Sequence, residues 1–203
     1  RAGLRYARRT PTIFAPLVMV AVTGTLTWEF PVSLPLFTTS TLHGNAAAFG
    51  LAMSSLGVGS VVGGVIAARG RAPTVRSLAA AALVWGVVVI AASIAPSLVL
   101  FYVAMMFVGL TAITFNAGAK SILQLEAVPE MRGRVMSLWY MAWQGTTLIG
   151  APIVGVVGNE FGARYGLLIG GAAAAAIGAA YLRVPGTETR PVPDDSVLEF
   201  ADD

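Results

Sequence analysis

Cysteine is absent from the 203 residues, and histidine occurs once, at His43. Without thiols there is no disulfide, thiolate metal site or cysteine nucleophile. A single imidazole excludes a histidine-rich metal centre, and a serine hydrolase would have to draft His43 as its base. No cofactor and no metal are expected. Charge is equally scarce: charged residues make up 11% of the chain and hydrophobic ones 56%, where an ordinary soluble domain carries roughly 25% charged residues. So few charged side chains cannot cover the surface of a water-soluble fold, and this much apolar surface is incompatible with disorder. The sequence pI near 9.7 comes from a net charge of only +3, which membrane topology explains better than nucleic-acid binding.

What is present is long uncharged runs. They cover Thr10–Trp28, Phe30–Ala68, Ser77–Ala119, Val135–Asn159 and Tyr165–Leu182. A membrane-crossing helix needs about 20 mostly apolar residues, so the second and third runs must each contain a turn, at His43-Gly44-Asn45 and at Ala95-Pro96-Ser97. The expected architecture is all-α, with six transmembrane helices at about Pro11–Phe37, Ala46–Ala68, Thr74–Ser93, Ser97–Lys120, Val135–Val157 and Arg164–Leu182. Residues 1–10 would form a cytoplasmic linker end, residues 11–183 the membrane domain and residues 184–203 a flexible cytoplasmic tail. The acidic residues of that tail could dock a partner or simply be solvated.

Six spans place both ends on one side. With that side inside, the internal face carries Arg1, Arg5, Arg8, Arg9, Arg69, Arg71, Arg76, Arg132, Arg134, Arg183 and Arg190, against Arg164 alone outside. This is a strong positive-inside bias. Trp28 is expected near one membrane interface, and Trp139 with Tyr140 near the other, as aromatic belts.

Small residues recur at four-residue steps: Gly59 and Gly63, then Ala67, and again Gly166, Gly170, Ala174 and Gly178. Such stripes let helix backbones approach closely where no hydrophobic effect drives association. Pro31, Pro35 and Pro152 fall inside spans and predict kinks, because proline removes a backbone hydrogen bond.

Glu29 is the acid within a span. Counted along a straight helix it lies about 25 Å of rise beyond Thr12, near the outer edge of the hydrocarbon. It reads either as an interfacial carboxylate reaching water or as a proton or cation site facing a water-filled cavity. Asn116, Lys120 and Gln124 share one helix face; Lys120 either lines a solute path or snorkels to the headgroups. Tyr140 and Gln144 share a face of the fifth span, as do Trp139 and Trp143. Aromatic rings with a few amides suit a cavity for a bulky, partly apolar solute, with core packing as the alternative. The chain has no Gly-x-Ser-x-Gly elbow, and Gly57-Val58-Gly59 has no strand before it and no phosphate-binding lysine.

In order and spacing these segments resemble the C-terminal half of a major facilitator superfamily transporter, in the bacterial branch of enterobactin-exporter-like and transmembrane secretion effector permeases. The likeness rests on Gly3-Leu4-Arg5-Tyr6-Ala7-Arg8-Arg9-Thr10-Pro11, on Trp28-Glu29-Phe30-Pro31-Val32-Ser33-Leu34-Pro35-Leu36-Phe37, and on Phe49-Gly50-Leu51 followed by Gly57-Val58-Gly59. It continues through Gln124-Leu125, Pro129, Arg132-Gly133-Arg134-Val135-Met136, Gly150-Ala151-Pro152 and Phe161-Gly162-Ala163-Arg164. The resemblance implies helices seven to twelve of a twelve-helix fold, two six-helix halves around a central cavity, and alternating access by rocking. It departs at Gly64–Arg71, a shortened copy of the superfamily loop signature with Ala68 where an aspartate would stand. Arg69 and Arg71 would then set topology alone, while Arg132 and Arg134 could contribute to an inner gate.

The expected function is secondary active transport, with proton-coupled efflux of a small amphipathic compound such as a drug or siderophore. The expected setting is a bacterial plasma membrane, with the lipid bilayer, a six-helix N-terminal half and the solute as partners. A homodimer of halves is the other way to complete the pathway. The competing readings are a non-transporting scaffold or inactive permease fragment, and a membrane enzyme, for which no Ser–His pair or paired intramembrane acids are present. No charge ring or filter-like loop points to a channel.

Overall fold

The computed structural model describes residues 2–70, 72–145 and 147–184; Arg71 and the tail from residue 185 onward lie outside them. The described residues are helical almost throughout: α1 (Ala2–Arg9), α2 (Pro11–Leu26), α3 (Phe30–Leu36) running into a π-helical turn (Phe37–Thr41), α4 (Ala46–Arg69), α5 (Val75–Ser93), α6 (Leu98–Glu126), α7 (Pro129–Gln144), α8 (Thr147–Glu160) and α9 (Ala163–Leu182).

Both expected turns are present, and each ends in a side-chain cap. The Ala48 amide donates to Asn45 Oδ1 at 3.1 Å to start α4, and the Leu100 amide donates to Ser97 Oγ at 3.4 Å to start α6. Thr74 and Ser77 form a reciprocal capping box on α5, satisfying amides that lack an intrahelical partner. His43 adopts a left-handed φ of 53° just before α4.

Four helices, α4, α5, α6 and α9, are each long and apolar enough to cross a bilayer, and α7 with α8 makes a fifth span over Pro129–Glu160. The first expected span, Pro11–Phe37, is not one helix. The chain breaks at Thr27–Glu29, and at the other end α1 turns away from α2 by 109°. The kink expected from Pro31 therefore appears one turn earlier, as a break. Pro31 has no N–H to give the Thr27 carbonyl, which loses its i→i+4 partner. Pro31 itself sits in the first turn of α3, Pro35 lies inside α3 just before the π turn, and Pro152 lies inside α8.

The inner loop expected around Arg132 and Arg134 is helical as well. α6 runs on to Glu126, and Pro129 at the first turn starts α7 with only Ala127 and Val128 between them. At about 1.5 Å per residue, the 29 residues of α6 outlast a hydrocarbon core of ~30 Å, so its last turns project beyond the core.

Two glycine-lined seams hold the bundle together. Between α4 and α6, a Cβ on Gly59 would overlap the Met106 carbonyl, and one on Gly109 would overlap the Leu56 carbonyl. Ser60 Oγ lies across this seam, donating to Leu56 O at 2.9 Å and 3.3 Å from Gly109 O. Between α5 and α9, Gly86 meets Gly171 and Ala175, and Gly178 meets Ala79 and Leu83. Backbones this close gain dispersion contacts along their whole length. The outward face of α4 exposes Val58, Val61, Val62, Val65 and Ile66, an apolar surface suited to lipid or to another membrane helix.

Candidate functional site

The break at Thr27–Glu29 organises the centre of the bundle. Thr27 Oγ1 donates to the Gly170 carbonyl of α9 at 2.8 Å, tying the interrupted segment across to a neighbouring helix. Gly150 of α8 packs on the other side. A Cβ there would overlap the Thr25 carbonyl and lie 3.1 Å from Glu29 Oε1. Glu29 itself is only 3% exposed.

Trp28 packs on Trp85 with ring centroids 5.6 Å apart, and Trp85 is the eleventh of the 19 residues of α5. The break thus lies near the middle of that helix. Glu29 does not reach water in this conformation, which corrects the reading of it as a water-exposed interfacial carboxylate. Nor do the tryptophans mark opposite interfaces: Trp28 and Trp143 are 5.9 Å apart, and Trp143 and Trp139 are 5.0 Å apart.

All four tryptophans therefore form one cluster. Trp85 continues it to Phe115 at 5.5 Å, Trp139 continues it to Tyr140 at 4.9 Å, and Lys120 Nζ lies 5.6 Å from the Trp139 ring centroid. The result is a ladder of rings from a lysine near the end of α6 to the residue beside a buried carboxylate. Among the described residues, the indole N–H groups of Trp28, Trp85 and Trp139 and Asn116 Oδ1 have no hydrogen-bond partner. Each such buried group costs about 1–3 kcal/mol. Donors left unmet in this way are available to acceptors on a solute, or to water, whenever the bundle admits them.

The sequence-predicted residues divide accordingly. Trp143 lies within the ladder and Lys120 at one end of it, Glu29 follows Trp28 in the chain, and Asn116 follows Phe115. Asn116 is 7% exposed and donates to the Ala112 carbonyl at 3.2 Å. Gln124, Tyr140 and Gln144 are exposed, so none of them lines a buried cavity in this conformation. Arg69, Arg132 and Arg134 are exposed, Arg69 at the end of α4 and the other two in the first turns of α7. Trp85 and Gly150 belong to the site without having been picked out for it. Trp85 sits within an unbroken apolar run with no polar neighbour to draw notice, and Gly150 matters only through a contact distant in sequence. Among the described residues no group of three or more metal-ligating side chains could hold a metal ion.

A multi-pass all-α membrane protein, sealed by glycine seams and interrupted at a buried carboxylate, is thus the class that the fold and site define. The transmembrane secretion effector family matches residues 1–200, and the chain belongs to that family, a transporter family of major facilitator type. No curated protein matches the chain.

Proposed function

We propose that the chain is the C-terminal six-span half of a twelve-span secondary transporter, and that the whole protein exports a small amphipathic compound in exchange for protons. The observation that carries this reading is Glu29, buried beside the break of the first span and packed on Gly150. A carboxylate at the centre of a membrane helix costs roughly 2.5–3.5 kcal/mol, and interrupted helices near the midplane are where transporters place coupling groups. The aromatic ladder supports a flat, partly aromatic solute, since stacked rings accept such solutes with little polar cost.

In this reading Glu29 takes up and releases the proton, the ladder with Asn116 and Lys120 meets the solute, Arg132 and Arg134 act at the inner gate, and Arg69 sets topology. The chain performs no catalysis. The protein belongs to a bacterial plasma membrane, in the enterobactin-exporter-like branch, with both ends of this segment cytoplasmic. The arginine distribution supports that orientation.

One feature favours a non-transporting alternative: Ala68 stands where the superfamily loop signature has an acid. The two readings separate in proteoliposomes containing the intact protein. Dye movement driven by an imposed pH gradient, abolished in Glu29→Gln, supports transport. A wild-type protein that moves neither a cationic nor an anionic aromatic dye supports the inactive form.

A further inference from the structure

The first helix has a role that transport does not account for. α1 is eight residues long and is bent by 109° away from α2, so it runs crosswise to that helix. Its two faces differ sharply. Gly3, Tyr6 and Ala7 are buried, while Leu4, Arg5, Arg8 and Arg9 are exposed.

The buried face packs on the start of α7. A Cβ on Gly3 would lie 3.0 Å from Arg134 Cβ, and the Val128 amide donates to Tyr6 Oη at 3.3 Å. Val128 belongs to the two-residue break between α6 and α7, so α1 holds that break directly. Arg132 and Arg134 are exposed on α7 beside it; Arg132 reaches back to the Ala127 carbonyl at 3.5 Å. Glu126 and Glu130 are the acids at this end of α6 and α7, and the guanidinium groups outnumber them.

We propose that α1 and the first turns of α7 form a clamp for anionic phospholipid headgroups, and that lipid seated there latches the Ala127–Val128 break through Tyr6. The occupant is a lipid because the guanidinium face, with Leu4 beside it, lies at the end of the apolar spans. Phosphate groups sit at that depth, and arginine pairs with them through bidentate hydrogen bonds. An arginine at a negatively charged surface contributes a factor of roughly five in binding.

Hydrogen exchange on the full protein in nanodiscs tests this. Discs of phosphatidylcholine alone are compared with discs containing phosphatidylglycerol, and with neutral discs plus inorganic phosphate. Phosphatidylglycerol should slow exchange in residues 2–9 and 127–134 together, and inorganic phosphate should not. The combined Arg5→Gln, Arg8→Gln and Arg9→Gln variant should lose the slowing in both segments, and the matching lysine variant should keep most of it. Tyr6→Phe should keep the slowing in residues 2–9 and lose it in 127–134. Equal wild-type exchange in neutral and anionic discs would overturn the clamp, as would equal slowing by free phosphate or a lipid response undiminished in the glutamine variant. Slowing of both segments in Tyr6→Phe would overturn the latch.

Discussion

Glu29 is the residue on which the functional reading turns, and its neighbours make it testable. Glu29→Gln removes the titrating group at nearly constant volume. It should flatten the pH dependence of solute movement and cut gradient-driven flux by tenfold or more, with solute binding retained, as measured by separate flux and equilibrium-binding assays. Gly150→Ala should mimic part of this loss. The added methyl overlaps the Thr25 carbonyl and reaches the carboxylate, and overpacking of this kind costs about 1–3 kcal/mol. A Gly150→Ala protein with unchanged flux and unchanged melting would show that the packing beside Glu29 is loose. At this scale the sequence was a partial guide. An isolated acid in an apolar run is visible by eye, and so is Pro31 two residues on. The burial of Glu29 was not visible, because it depends on the break that Pro31 causes by depriving Thr27 of its hydrogen-bond donor and on Gly150 packing there from a distant helix. The meeting of Trp28, Trp85, Trp139 and Trp143 was also hidden, since it needs three segments far apart in the chain to converge.

Helix pairs are held by backbone proximity, and their glycines divide into those that permit it and those that do not matter. Gly59→Ala and Gly109→Ala should each lower the stability of the protein in detergent by about 1–3 kcal/mol. Because Gly59 faces Met106 while Gly109 faces Leu56 in the same α4–α6 seam, the double variant should lose less than the sum of the two. Gly133→Ala is the control: a Cβ there meets nothing within 4 Å, so replacing an interior helical glycine should stabilise by up to about 1 kcal/mol. Thermal melts of the four proteins decide the matter, and a Gly133→Ala protein as damaged as Gly59→Ala would contradict the seam account. The stripe at Gly59 and Gly63, and the one along α9, were legible because four-residue spacing of small residues marks a helix face. Gly86 and Gly109 stand without such a repeat, and only the partner helix shows what they are for. The α6–α7 junction was misread for a related reason. Arginines and a proline look like a loop, but proline at a first helical turn starts a helix.

At the scale of the whole molecule, the membrane class followed from composition, because so little charge leaves no soluble surface, and the all-α fold followed from the length of the uncharged runs. The turns followed from His43-Gly44-Asn45 and Ala95-Pro96-Ser97, because their runs are too long for one helix and these triplets carry turn residues. What the apolar outer face of α4 packs against is not written in a residue pattern, since lipid and a neighbouring helix select the same side chains. In the proposed twelve-span transporter that neighbour is lipid or the other half. An intact native mass near twice 21.0 kDa is therefore expected, and a mass near 21.0 kDa would require a separately made partner or a second copy.

The most direct test of the central claim is gradient-driven transport by the intact protein in sealed proteoliposomes, with an aromatic dye on one side and a pH step across the membrane. The account predicts dye movement against its own gradient that stops when a protonophore collapses the pH step and is absent in Glu29→Gln. Dye movement equally fast with and without the pH step, or fully retained in Glu29→Gln, would contradict it.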